Sequence, residues 1–163
     1  MSIKQVDLVQ RSIDSYKGVI GADLYEEIEG LKEGLQGFSV LHLNATPAGG
    51  GGAEILSSMV PLMQSLGIDA NWSVLNDAEP AYFEVTKKLH NLLQGQPGEL
   101  TQEEKDLHLA YAERYVNDLR GRQYDFWVIH DPQPLPVAAY LDRDAATWAW
   151  RSPICGLRVT GRA

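Results

Sequence analysis

Helical and strand-like hydrophobic patterns alternate along most of the chain. Apolar residues recur at helical spacing over residues 22–35, 55–66 and 82–92. Between these segments lie short apolar runs bounded by glycine or proline, a pattern that predicts buried strands. We expect strands at residues 38–44, 69–75, 126–130 and 147–151.

The order of these elements predicts the fold class. Strand, glycine loop, helix and strand follow one another over residues 38–75, as in a βαβ unit, whose right-handed crossover implies a parallel sheet. The capping box Thr101-x-x-Glu104 opens a further helix, and a short helix is expected at residues 137–141. The sequence thus predicts an α/β, Rossmann-like fold with a parallel sheet flanked by helices. We divide the chain into an N-terminal helical extension (1–37), a Rossmann-like lobe (38–151) and an atypical tail (152–163).

Composition narrows the classes of partner. The 163 residues are 44% hydrophobic, enough to bury the core of one domain. A net charge of −8 disfavours nucleic-acid backbones and anionic membrane surfaces. The lone Cys155 allows no internal disulfide and suits a reducing cytoplasm, and no signal peptide or membrane-length apolar stretch is present in the sequence. The four histidines lack metal-ligand spacing. We therefore expect a cytoplasmic protein with no cofactor, metal, nucleic acid or membrane partner.

A glycine loop is the strongest local signal. Gly49, Gly50, Gly51 and Gly52 stand between the first buried strand and its helix, where bare backbone amides can hold an anion. The dinucleotide-binding pattern fails because Glu54 occupies the place of its third glycine, and no Gly-Lys-Ser/Thr follows as in a phosphate loop. Two interpretations stay open, a ligand-binding loop and a flexible connector.

A polar group follows the third long strand. His130, Asp131 and Gln133 come where ligands bind in open α/β sheets, on the same edge as the glycine loop. A carboxylate and an amide there could hydrogen-bond sugar hydroxyls, with neighbouring prolines holding them rigid. Alternatively, Asp131 caps the next helix and His130 is a satisfied strand-end histidine. His42, inside an apolar strand, is interpreted as a core residue.

Other candidates are assigned structural roles. Trp127, Trp148 and Trp150 are expected in the core rather than as sugar platforms. Asp77 follows the second long strand, where dinucleotide enzymes hold a ribose, but the failed glycine pattern weakens that reading. Cys155 has no positioned base nearby in the sequence, which argues against a catalytic thiol.

Several sequence motifs, spread over most of the chain, together point to one protein family. They are VLHLNATPAGGGGAEIL (40–56), VPLM (60–63), LGID (66–69), FEVTKKLHN (83–91) and HDPQP (130–134). Over residues 16–151 the chain resembles the trehalose synthases that transfer glucose from a nucleotide-sugar to glucose. These enzymes are two-lobed retaining glycosyltransferases of the GT-B type, with the acceptor side on the N-terminal lobe and the nucleotide-sugar on the C-terminal lobe.

The resemblance implies roles for the two polar loops. Residues 49–52 would line the cleft near the donor phosphates, and Asp131 and Gln133, with His130 beside them, would lie near the acceptor sugar. The implied partners are glucose or trehalose, and UDP-glucose or ADP-glucose in the full-length enzyme. A homodimer is also expected, because a lobe without its partner lobe would leave an open face that a second copy could cover. The alternatives are a stand-alone sugar- or nucleotide-binding module and a lobe of a trehalose phosphorylase.

The tail departs from the resemblance. After Arg151 the family continues with Cys-His-Ile-Asp, whose histidine faces the transferred sugar, whereas Ser152, Pro153 and Ile154 stand here. A changed reading frame or a truncation would explain a tail of foreign composition. No complete catalytic set is then expected in these 163 residues, and the chain by itself is expected to be inactive.

Overall fold

A five-stranded sheet with helices on both faces forms the centre of the computed structural model, which describes residues 2–142, 144 and 146–152. The strands are β1 (Ile3–Gln5), β2 (Ser39–Asn44), β3 (Asp69–Leu75), β4 (Phe126–His130) and β5 (Thr147–Arg151). The α-helices are α1 (Lys17–Ile20), α2 (Ala22–Leu35), α3 (Gly51–Ser65), α4 (Pro80–Leu93) and α5 (Gln102–Leu119). Short 3₁₀ turns occur at Ile13–Tyr16 and Leu135–Ala139.

The strand order is β1-β3-β2-β4-β5, and β2 to β5 run parallel. Their carboxyl ends therefore share one edge of the sheet. The predicted α/β, Rossmann-like fold is confirmed. The short strand β1 is an addition that the hydrophobic pattern did not predict, and it pairs antiparallel with β3 through Ile3 and Leu75.

The sheet has a buried cluster on each face because side chains alternate along a strand. In β2, Val40 packs with Leu56 and Val60 of α3, whereas Leu41 and Leu43 pack on the opposite face. That opposite cluster also contains aromatic and aliphatic side chains of α4, α5 and β4, namely Tyr82, Tyr111, Tyr115, Leu119, Trp127 and Ile129. Two helical layers thus hold β2 and β4 at the centre of the sheet.

The segment after β4 differs from its prediction. The α-helix expected at residues 137–141 is a 3₁₀ turn at Leu135–Ala139, bounded by Pro134 and interrupted by Pro136. A proline has no N–H to donate, so this segment cannot build the regular bonds of an α-helix. In the described part of the chain, no helix has both the length and the apolar character to cross a bilayer.

Candidate functional site

The glycine loop and Asp131 face each other at the carboxyl edge of the sheet. β2 and β4 are neighbours, with Leu43 opposite Ile129, so their last residues and the loops after them lie side by side. A Cβ atom added at Gly52 would lie 3.6 Å from Asn44 Nδ2 and 3.7 Å from Asp131 Oδ2. The prediction that the two loops share one edge is therefore confirmed.

The loop leaves the first turn of α3 without a side-chain cap. Gly49 and Gly50 have φ angles of 80° and 103°, which favour glycine. Gly50 is the N-cap residue of α3 and has no side chain to accept from the first amides. Uncapped amides at the N-terminus of a 15-residue helix form a partial positive charge aimed at the carboxyl edge.

The backbone around Asp131 is constrained by β5. Asp131 has a φ of 66°, a left-handed conformation unusual for a residue other than glycine. Its N–H donates to the carbonyl oxygen of Arg151 at 3.0 Å, and its carbonyl oxygen accepts from Trp150 Nε1 at 3.1 Å. These bonds turn the carboxylate back toward the glycine loop.

Two acceptor oxygens in the segment after β4 are buried without a donor. Asp131 Oδ1 and Gln133 Oε1 have no hydrogen-bond partner among the described residues. The main chain of Gln133 is held, because its carbonyl oxygen accepts from Tyr82 Oη at 2.8 Å. The alternative in which Asp131 caps the next helix does not hold, since the N-cap residue of the following turn is Pro134 and makes no side-chain cap bond.

The surroundings of Asp131 shift the pKa of its carboxyl group in both directions. Burial raises the pKa of the Asp131 carboxyl, while the nearby His90 and Arg151 act in the opposite direction. A carboxylate without donors in a half-buried position is costly to ionise. A ligand that donates hydrogen bonds to Asp131 would lower that pKa.

A buried histidine pair lies beneath the edge. His42 Nδ1 and His130 Nε2 are 3.0 Å apart, and the two rings are almost fully buried. Burial lowers the pKa of both imidazoles to about 4, and for His130 the charges of His42 and Arg151 add to the effect. His42 is thus a core residue, as interpreted from the sequence. Each ring keeps one buried nitrogen without a partner among the described residues, Nε2 in His42 and Nδ1 in His130.

Three residues at this edge were missed or misread in the sequence. Trp150 was expected in the core, but that prediction is wrong: the side chain is 39% exposed and bonds the main chain of Asp131. β5 is an edge strand, so its outer residues lack a second neighbour to cover them. His90 and Tyr82 were read only as part of a helix, although the FEVTKKLHN motif contains His90. The other tryptophans pack as expected, with Trp127 buried and stacked on Trp148.

The remaining sequence candidates are not in contact with this group in any recorded interaction. Asp77, which follows β3, forms an ion pair with Arg114 through Oδ2, and its Oδ1 is buried without a partner among the described residues. Cys155, Pro153 and Ile154 lie outside the described residues. Within the described part of the chain, no cluster of three or more His, Cys, Asp or Glu side chains could hold a metal ion.

Comparison with known proteins identifies the family. The profile described as "Trehalose synthase, N-terminal domain" matches residues 42–159. The chain belongs to this family. It is 39% identical over 145 residues to trehalose synthase from Thermococcus litoralis, covering 88% of this chain and 35% of that protein. Trehalose synthase from Rubrobacter xylanophilus is 37% identical over 156 residues, covering 93% of this chain and 37% of the relative.

The chain covers only part of the length of these relatives. The chain spans 35% and 37% of the lengths of these two relatives, so it corresponds to an N-terminal part of them. A more distant similarity extends to trehalose phosphorylase from Pleurotus pulmonarius, 32% identical over 104 residues and covering 61% of this chain.

Proposed function

We propose that this chain forms the acceptor-side lobe of a retaining GT-B glycosyltransferase that makes trehalose from a nucleotide-glucose and glucose. In that reaction the acceptor hydroxyl attacks the sugar as the nucleotide phosphate departs. Catalysis of this kind depends on positioning both substrates and stabilising the leaving diphosphate. A lone cysteine fits the cytoplasm as its compartment.

One observation carries the proposal. The buried oxygens Asp131 Oδ1 and Gln133 Oε1 lack donors among the described residues and lie at the carboxyl edge of the sheet. A buried acceptor without a donor is unfavourable, so these positions favour a ligand rich in hydroxyl groups. A hexose supplies several O–H donors within one small ring. We therefore assign Asp131 and Gln133 to the hydroxyls of the acceptor glucose, with His130 beneath them.

The glycine loop supports a role on the donor side of the same cleft. Gly49 to Gly52 present uncapped main-chain amides at the N-terminus of α3, a geometry that suits an anionic group. The glycine loop and Asp131 are near enough for donor phosphate and acceptor sugar to lie next to each other, since a Cβ atom added at Gly52 would lie 3.7 Å from Asp131 Oδ2. A side chain at Gly52 would project toward Asp131 and narrow that space.

A second candidate is a lobe of a trehalose phosphorylase. It is favoured by the similarity to the Pleurotus pulmonarius enzyme, and in this chain it would use the same carboxyl edge. In this alternative the glycine loop would hold inorganic phosphate instead of a nucleotide diphosphate. A third, a binding module without catalysis, would bind a sugar or nucleotide equally well in the full-length protein and in the chain alone.

Calorimetric titration of the chain with glucose, trehalose, UDP, ADP and inorganic phosphate tests the assignment. We expect millimolar glucose binding that Asp131→Asn weakens by about tenfold, because the variant loses a charge-assisted acceptor. The matched control is Asp69→Asn, which lies at the amino end of β3 and so at the other edge of the sheet from Asp131. It should bind glucose like the parent chain. Equal affinity of the parent and Asp131→Asn chains would contradict the acceptor assignment.

A further inference from the structure

The helix α2 carries an apolar stripe that is left exposed. Its side chains Leu24, Ile28, Leu31 and Leu35 follow one another at spacings of four, three and four residues, so they lie along one side of the helix. No residue of α2 is buried, and Leu24, Leu31 and Leu35 are 47%, 60% and 40% exposed. A helix in a globular protein is stabilised mainly by the packing of its apolar side, so this stripe calls for a cover.

The helix α3 has a matching stripe on its outer side. Its inner side packs on the sheet through buried apolar side chains, namely Ala53, Leu56 and Val60. Its outer side presents Ile55, Met59, Leu62 and Leu66, again at spacings of four, three and four residues, and Ile55 is 45% exposed. Apolar residues on two sides are typical of a helix that is covered on two sides.

The two stripes lie side by side and in register. Ile28 and Met59, which are 31 positions apart in the chain, line one groove between the helices. At the ends of the helices, a Cβ atom added at Gly67 would lie 3.6 Å from Cγ of Gln36, again 31 positions earlier. The helices therefore run in the same direction with equivalent positions adjacent. We call the two stripes together the α2–α3 surface.

This arrangement is that of two neighbouring helices in a four-helix bundle. Apolar residues that alternate at four and three positions form the a and d seam of a heptad, whose side chains pack between those of facing helices. The other long helices, α4 and α5, pack on the opposite face of the sheet. The described part of the chain thus has no other long helix to complete the bundle, and the facing pair has to come from outside it.

The charges around the α2–α3 surface favour a second copy of the same chain. Copies of net charge −8 repel each other unless they meet where little net charge is present. At about 100° per residue, most acids of α2 fall on the side away from the stripe, namely Asp23, Glu26, Glu29 and Glu33. Only Glu27 and Lys32, of opposite charge, flank the stripe, and α3 contributes the single charged residue Glu54. A strongly basic partner would find little charge to match there.

The size of the surface suits a dimer contact. Helices of 14 and 15 residues are about 21 Å long, and two side by side are roughly 20 Å wide, which gives roughly 400 Å² in projection. A patch of this size is large for a monomer. Two copies would bury about 800 Å² in projection and more once the relief of the side chains is included, close to the about 1,000 Å² of specific interfaces.

We propose that two copies of this chain associate through the α2–α3 surface, where α2 and α3 of each copy form a four-helix bundle. The stripes lie on the outer layer of helices, whereas Asp131 and the glycine loop lie at the carboxyl edge of the sheet. The dimer would therefore leave the proposed acceptor site open in each copy. This inference does not depend on the proposed function.

Sedimentation velocity of the 163-residue chain over a concentration series tests the proposal. We expect a monomer–dimer equilibrium in the parent chain. Leu31→Glu places a charge in the stripe and should weaken the dimer by about tenfold or more. Because Leu31 is 60% exposed, the variant should keep its fold, which circular dichroism checks. Ile55→Glu, in the stripe of α3, should cause a similar loss.

The matched control is Leu109→Glu, the same change at a 43% exposed leucine of α5, on the other face of the sheet. This variant should form dimers like the parent chain. The proposal is overturned if the parent chain stays monomeric throughout the series, in which case the α2–α3 surface is not a contact between copies. It is also overturned if Leu31→Glu associates as tightly as Leu109→Glu, because the copies would then meet on another face.

Discussion

At the scale of single residues, the backbone of Asp131 constrains how its role can be tested. Alanine, the usual choice for removing a side chain, carries a Cβ atom that disfavours the φ of 66° found here. Asparagine and glycine adopt this conformation more readily. We expect Asp131→Ala to lower the free energy of unfolding by about 1 kcal/mol relative to Asp131→Asn, measured by urea denaturation at pH 7.

The comparison of three variants at this position isolates the backbone effect. Asp131→Gly should resemble Asp131→Asn in stability once its greater chain entropy is allowed for, and glucose binding should be weakened in all three. If Asp131→Ala proves as stable as Asp131→Asn, the left-handed conformation is not required at this position.

The His42–His130 pair should make stability depend on pH. Burial lowers both pKa values from 6.5 to about 4, so the unfolded chain binds more protons than the folded chain between these pH values. The free energy of unfolding should therefore be greatest above pH 6.5 and fall as the pH drops toward 4. With each pKa unit corresponding to about 1.4 kcal/mol, we expect the pair to cost the fold about 2 kcal/mol or more by pH 4. Urea denaturation at several pH values measures this slope.

His42→Gln should reduce the slope. His108, also buried with a lowered pKa, keeps its share in this variant. The lowered pKa values of Asp118 and Asp125 change the free energy of unfolding only below about pH 4. The raised pKa of Asp131 changes the free energy of unfolding in the opposite direction to the histidine pair. An unchanged slope in His42→Gln would show that the histidine pair does not cause the pH dependence of stability.

At the scale of elements, the capping box predicted from Thr101-x-x-Glu104 is formed. Thr101 Oγ1 accepts from the N–H of Glu104 at 3.2 Å, and Glu104 Oε2 accepts from the N–H of Thr101 at 2.7 Å. Glu104 also binds Lys88 Nζ, which ties α5 to α4. The local motif therefore contributes to helix packing, which its spacing alone did not indicate.

Thr101→Ala should lower the free energy of unfolding by about 1 kcal/mol, because it leaves an amide of the first turn without its acceptor. Glu103→Ala, two positions after Thr101 and exposed, changes the charge of the same turn without removing either residue of the capping box and is the control. Chemical denaturation of the two variants side by side measures the difference. If Thr101→Ala proved as stable as the parent chain, water would replace the threonine hydroxyl at no cost in free energy.

Prediction from the sequence succeeded where local patterns are strong. The bounds of β3, β4 and β5 agree with the predicted strands, and β2 begins one residue later than expected. Each of these strands is a continuous apolar or alternating run bounded by turn residues. β1 escaped prediction because its three residues, Ile3–Gln5, carry little hydrophobic pattern, and only pairing with β3 makes them a strand.

At the scale of the whole molecule, the proposed glucosyl transfer would require two substrates to be held together. We expect the 163-residue chain, given glucose with UDP-glucose or ADP-glucose, to form no trehalose above background. The chain corresponds to about 35% of its trehalose synthase relatives, and near-attack positioning of donor and acceptor can be worth about 7–11 kcal/mol. Chromatographic detection of trehalose after long incubation checks this expectation, with the full-length Thermococcus litoralis enzyme as the positive control.

Trehalose formed by the purified chain would contradict this expectation, because these residues alone would then carry out the transfer.

The homodimer expected from the sequence stays a prediction, and sedimentation velocity at high concentration measures it. Loss of trehalose formation in a full-length enzyme carrying Asp131→Asn, with nucleotide-sugar binding retained, would place the residue on the acceptor side.

The amino-acid sequence by itself determined the α/β class, most strand bounds, the capping box and the position of the glycine loop. These features depend on residues a few positions apart, so periodicity, glycine and proline report them directly. Tertiary structure decided the rest: the left-handed Asp131, the exposure of Trp150 and the buried histidine pair. Each of these depends on which distant segments lie alongside one another. Whether a polar atom is left without a partner is a property of that packing, and no local pattern records it.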